Sequence, residues 1–120
     1  MKNLIKLICT ICVLFGVQST FACDYPDRVA VPNGTTATKE DMLQGQRSVK
    51  KFVAEIEVYL ECIVKEEKIA RTAIETISAE DEQQREDLLN KKYNAAVDEM
   101  ERLAAQFNVE VQAYKAKESS

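Results

Sequence analysis

Four cysteines and 20 carboxylates carry most of the chemistry open to this chain, which has no histidine. The missing imidazole removes the commonest general base near neutral pH and the commonest metal ligand. A ferritin-type iron site needs Glu-x-x-His on facing helices and is excluded with it. Cys9 and Cys12 have the C-x-x-C spacing of a redox pair, but both lie inside the apolar run Leu7 to Val17. Cys23 and Cys62 remain, and two thiols alone do not complete a zinc site. Gly34 and Gly45 stand too far apart for a phosphate loop, and no G-x-S-x-G elbow occurs. Among the carboxylates, Glu66-Glu67 interrupts a helical apolar pattern, where a half-buried acid would have a raised pKa. The simpler expectation pairs Glu67 with Arg71 and leaves Glu66 in water. The cluster Glu80, Asp81, Glu82, Glu86, Asp87 lacks the Asp/Asn-Gly spacing of a calcium loop and reads as a solvated tip. Met100, Tyr93, Phe107 and Tyr114 suggest an aromatic pocket, but their spacing is that of a helical core. No catalytic, cofactor-binding or metal site is expected, and the chain is read as no enzyme.

The first 22 residues change how the thiols are read. Lys2 and Lys6 form a positive start, an 11-residue apolar run follows, and Thr20-Phe21-Ala22 is a small-x-small end. That order is a secretory signal peptide, and its apolar run is too short for a permanent bilayer span. Cleavage between Ala22 and Cys23 removes Cys9 and Cys12 and leaves 98 residues. Lys2 and Lys6 leave too, so 16 basic residues become 14 against 20 acidic, a net charge of −6. This balance argues against nucleic acid and against anionic lipid surfaces. In an oxidising compartment Cys23 and Cys62 are expected to pair, gaining roughly 4 kcal/mol in the chain-entropy model. The rival is lipidation of Cys23, since Ala22-Cys23 also ends a lipoprotein signal. Thr20 fits that pattern poorly, and lipidation would strand Cys62.

Residues 23–37 hold both prolines and the turn sequence Pro32-Asn33-Gly34, and read as an extended arm. Thr38 is a helix N-cap, with Glu40 and Asp41 suited to the positive end of the helix dipole. From Lys39 to about Ile77 apolar residues keep helical spacing: Met42, Val49, Phe52, Val53, Ile56, Tyr59, Leu60, Ile63, Ala70, Ile74 and Ile77. Glu61–Lys65 and Glu67–Arg71 have salt-bridge spacing. Ser78 caps a second helix, about 80–117, whose seam is Leu89, Tyr93, Ala96, Met100, Leu103 and Phe107, with Tyr114 beyond; Lys115 and Lys117 suit its negative end. The 12 residues from Ile77 to Leu89 put the two seams out of phase by nearly half a turn. A single helix would therefore bury neither well. The expected fold is all-α: an antiparallel, coiled-coil-like two-helix hairpin with the arm tied back by a disulfide. With Ile56 at the centre of the core face, Cys62 falls at about 240°, with Val58 and Ile69 near 200° and 220°. A Cys23–Cys62 bond folds the arm along that flank, with Tyr25, Val29 and Val31 available to cover it.

Several blocks carry a resemblance: Pro-Asn-Gly-x-x-Ala-Thr at 32–38 with Met42, Tyr59-Leu60-x-Cys62, Tyr93-Asn94-x-Ala96-Val97-x-x-Met100, Phe107-Asn108 and Tyr114-Lys115. In their order and spacing the chain resembles a group of small, uncharacterised exported proteins of Gram-negative bacteria. The resemblance implies export to the periplasm and a helical fold, and adds no site. Asn94 and Asn108, which the apolar pattern does not require, are read as bonding to the arm or the other helix. The function expected is a cell-envelope protein–protein interaction module, with a protein partner or self-association at the flank of Val58 and Ile69. A periplasmic holding chaperone is one alternative. An envelope protein anchored to the membrane by lipid on Cys23 is the other.

Overall fold

A computed structural model describes residues 23–120; the segment 1–22, on which the expected signal peptide with Cys9, Cys12 and Ala22 falls, lies outside the described residues. The regular elements are α1, Lys39–Thr72, and α2, Ala79–Glu118, packed as an antiparallel hairpin. At 1.5 Å per residue they run about 51 and 60 Å.

Both helices begin as the sequence indicates. Thr38 is extended, its hydroxyl accepts the Asp41 N–H at 3.1 Å, and the Asp41 carboxylate accepts the Thr38 N–H at 2.8 Å. That reciprocal capping box satisfies two otherwise orphaned donors. At α2 the Ser78 hydroxyl accepts the Asp81 N–H at 3.0 Å, over an acidic first turn of Glu80, Asp81 and Glu82.

The end of α1 differs from expectation: the helix stops at Thr72, five residues short of Ile77. Ala73 and Ile74 donate to Ala70 and Arg71 carbonyls, at 3.3 and 3.2 Å, which tightens the last turn. The cause is the facing element. The N-terminal turns of α2 offer no apolar residue larger than Ala79 before Leu88, so a longer α1 would have little to pack against. Ile74 is exposed and Ile77 half-buried in the six-residue connection Ala73–Ser78. A connection of that length turns without glycine or proline.

The core is a seam of Val49, Phe52, Ile56, Leu60 and Ile63 from α1 against Ala96 and Leu103 from α2, with Met42 and Gly45 buried beyond it. Val53, Tyr59 and Ala70 flank it half-buried. Gly45 faces Phe107, Glu67 faces Arg85 and Arg71 faces Glu82. The numbers of facing residues thus add to 152, 152 and 153, so one antiparallel register holds along the hairpin. Toward the tip the apolar seam gives way to charge: Arg85 binds Glu67 at 2.8 and 3.2 Å, and Arg71 binds Glu82. The expected Glu67–Arg71 pair is not made, because α2 supplies a partner for each. Glu61 and Lys65 form no ion pair among the described residues.

The arm crosses one side of the helix pair. The Cys23–Cys62 disulfide ties it back, with Cα atoms 5.7 Å apart. Val29 and Val31 pack against the core, and Tyr25 sets its ring against Tyr59, 5.0 Å between centroids in an edge arrangement. Tyr25 remains 46% exposed, so its cover of the flank is partial. A second anchor closes the other end of the arm. Asn33 Oδ1 accepts the Thr35 N–H at 2.9 Å, and Asn33 O accepts the Ala37 N–H at 2.8 Å. The turn so formed docks on α2: Gly34 N–H donates to Glu110 Oε2 at 2.7 Å, and Lys117 Nζ donates to Ala37 O at 2.6 Å.

Candidate functional site

The two ends of the arm leave different surroundings. At the Gly34 end Pro32 lies over Gly45, Lys117 stands 4.7 Å above the Tyr114 ring, and a smaller, more polar hollow of about 390 Å³ remains between Asn33, Thr36, Asp41 and Gln44. At the Cys62 end the surface is open. Val58, Glu61, Cys62, Lys65, Glu66 and Ile69 line a groove of about 510 Å³ on the outer side of α1. Helical periodicity explains the grouping. Val58, Cys62, Lys65 and Ile69 follow one another at intervals of three or four residues, so they form one stripe turned away from α2.

Within that stripe Val58 is 67% and Ile69 53% exposed. The described part of the arm begins at Cys23 on Cys62, and none of its residues covers the apolar side chains on either side. Glu66 Oε2 lies 3.2 Å from Cys23 Sγ. This is a contact and not a hydrogen bond, because a disulfide sulfur has no hydrogen to donate. Glu61 and Lys65 rim the groove with opposite charges.

The perturbed titrations lie elsewhere. Burial raises the Tyr25 phenol, aided by the Glu99 carboxylate and Tyr59, so it stays protonated. The Thr38 backbone and hydroxyl donors hold Asp41 below the usual carboxylate range. Arg102, by hydrogen bond and charge, does the same for Glu99, with Arg28 of the arm contributing from 3.6 Å. Each shift has a structural cause in burial at the arm, a helix cap or an ion pair, and such causes also perturb values away from catalytic sites.

The other residues singled out by sequence are dispersed. Glu67 is committed to Arg85, Glu82 to Arg71, and Asp81 to the Ser78 cap; Asp87 accepts from Gln83 at 2.9 Å. Among the described residues no three His, Cys, Asp or Glu side chains gather as a metal site, and no helix is long and apolar enough to cross a membrane. Met100 and Phe107 pack against the core, while Tyr93 is 39% exposed at its edge. Asn94 and Asn108 are both exposed, and no hydrogen bond joins either to the arm or to α1 among the described residues. Of the residues that do bond to the arm, Lys117 reads in sequence only as a charge suited to the negative end of the second helix, and Glu110 carries no signal there. Comparison of the chain with protein-family models, with curated proteins and with solved structures finds no match.

Proposed function

We propose that the protein is an exported, non-enzymatic interaction module of the Gram-negative cell envelope, which docks a protein partner on the flank of Val58 and Ile69. The observation that carries this reading is the exposure of those two side chains on either side of Cys62. Apolar residues grouped in one rimmed groove are the mark of a contact surface, whereas single exposed ones are ordinary. Export rests on the charged start, apolar run and Thr20-Phe21-Ala22 end of the first 22 residues. The disulfide agrees with an oxidising compartment such as the periplasm. A sulfur bonded to Cys62 is not available to carry lipid, which favours a periplasmic protein over an anchored one.

The test is a photo-crosslinking amino acid at position 58 or 69 in cells making the full chain. The expected result is one and the same adduct from both positions, with the native chain's partner capture lost on Ile69→Glu. Recovery of the uncrosslinked chain alone, or capture unchanged by Ile69→Glu, would overturn the assignment.

A further inference from the structure

A second groove runs along the neighbouring side of α1. Its apolar floor is Leu60, Val64 and Tyr93, its rim is Glu57, Glu61, Lys65 and Lys68, and it encloses about 570 Å³. Leu60 is 8% exposed, but Val64 and Tyr93 are 44% and 39% exposed. On the α1 wheel centred at Ile56, Leu60, Val64, Glu57 and Lys68 fall between about 40° and 120°, while Tyr59, which meets the arm, falls near 300°. Arm and groove therefore lie on opposite sides of the core seam, and the arm cannot cover it.

The rim has an order. Along α1 it reads acid, acid, base, base, and none of the four forms an ion pair among the described residues. Such a stripe is its own electrostatic complement when turned end for end. A two-fold rotation sets Glu57 against Lys68 and Glu61 against Lys65. Those numbers add to 125 and 126, so one axis near Ile63 serves both pairs, and each occurs twice. Two copies laid parallel would instead set like charges together. A uniformly acidic or basic partner would meet two like charges on every approach.

We infer that this groove takes a second copy of the chain. The two α1 helices run antiparallel, Leu60, Val64 and Tyr93 of each copy fill the centre, and four intermolecular ion pairs form the rim. The inference does not rest on the partner assigned to Val58 and Ile69, although Glu61 and Lys65 stand on the ridge shared by both grooves.

The experiment is sedimentation velocity and native mass spectrometry of the full chain with its disulfide intact. The native chain should dimerise reversibly, less tightly at high salt. Glu57→Lys with Glu61→Lys makes the rim wholly basic, and Lys65→Glu with Lys68→Glu makes it wholly acidic. Each variant should self-associate at least tenfold more weakly than the native chain, and a one-to-one mixture should restore the dimer as a mixed pair. The fourfold exchange, which reverses the order but keeps the complement, should dimerise by itself and so controls for misfolding. Ile69→Glu should leave the dimer intact while abolishing capture at the flank. A native chain that stays monomeric at every concentration would overturn the proposal. So would either charge variant dimerising like the native chain, a mixture that remains monomeric with native helix content, or loss of the dimer on Ile69→Glu.

Discussion

Gly34 sits where the backbone of α2 leaves no room for a side chain. A Cβ there would lie 2.0 Å from Glu110 O and 2.9 Å from Tyr114 N, and main chain inside a helix does not yield. Gly45 is crowded differently, by the Pro32 ring at 2.7 Å and the Phe107 ring at 3.1 Å. Those atoms belong to the arm and to a side-chain edge, so they can shift. Gly34→Ala is expected to lower stability by about 1–3 kcal/mol through overpacking. Gly45→Ala should lower it less, because alanine inside a helix recovers about 1 kcal/mol of propensity. Urea midpoints of the two variants check the order, and equal losses would mean the arm does not dock as described. Asp41 gives a prediction in pH. Its pKa is depressed in the folded chain by the Thr38 donors, so its stabilisation is full above the ordinary aspartate value and is lost as pH falls through the depressed one. Asp41→Asn should therefore be less stable than the native chain at neutral pH, and the gap should narrow on acidification. A gap that stayed constant with pH would mean the cap is not charge-dependent.

At the scale of elements, the charged layers near the tip stand in for apolar ones. Glu67 and Arg85 have side chains 22% and 33% exposed and bond across the hairpin, so they do more than a surface pair. A double-mutant cycle with Glu67→Ala and Arg85→Ala should give a coupling of about 0.5–1 kcal/mol. Zero coupling would show that the helices splay beyond Ile63. The hairpin itself was legible in sequence, because Met42 to Ile63 and Leu89 to Phe107 repeat every three or four residues and their phases forbid a single helix. The partner of Glu67 was not legible, because i,i+4 spacing marks Arg71 as plainly as the hairpin register marks Arg85. Only the register chooses between them, and register is a property of two elements together. The end of α1 was hidden for the same reason: Ile74 and Ile77 continue the period, but α2 offers them little to pack on. The groove at Val58 and Ile69 was legible from the helical wheel. The docking of Gly34 on Glu110 was not, since it joins residues 76 apart in sequence. The disulfide closes a separation of 39 residues, and replacing both cysteines by serine should lower stability by about 2–4 kcal/mol. Helix content should be unchanged at 25 °C, because the caps at Thr38 and Ser78 and the seam do not involve the bond. A large loss of circular dichroism at 222 nm would show that the arm, and not the seam, holds the helices together.

For the whole molecule, the decisive atom is Cys23 Sγ, which has one valence to give. Bonded to Cys62, it fixes the arm to α1 beside the open flank and is not free to carry a lipid. Carrying a lipid, it would free Cys62, release the start of the arm from Tyr59 and hold the hairpin at a bilayer. The two states differ in mass and in thiol count, and the segment 1–22 adds a third distinguishable species. The intact mass of the protein recovered from the cell envelope is expected to be that of residues 23–120 less two hydrogens. Alkylation should label no thiol before reduction and two after it. A species heavier by several hundred daltons, with one thiol alkylated before reduction, would make the arm a membrane tether and remove the disulfide from the packing of α1. A mass near 13.6 kDa, the whole chain, would mean the segment stays attached. Cys9 and Cys12 would then rejoin the thiols that any account of this protein has to place.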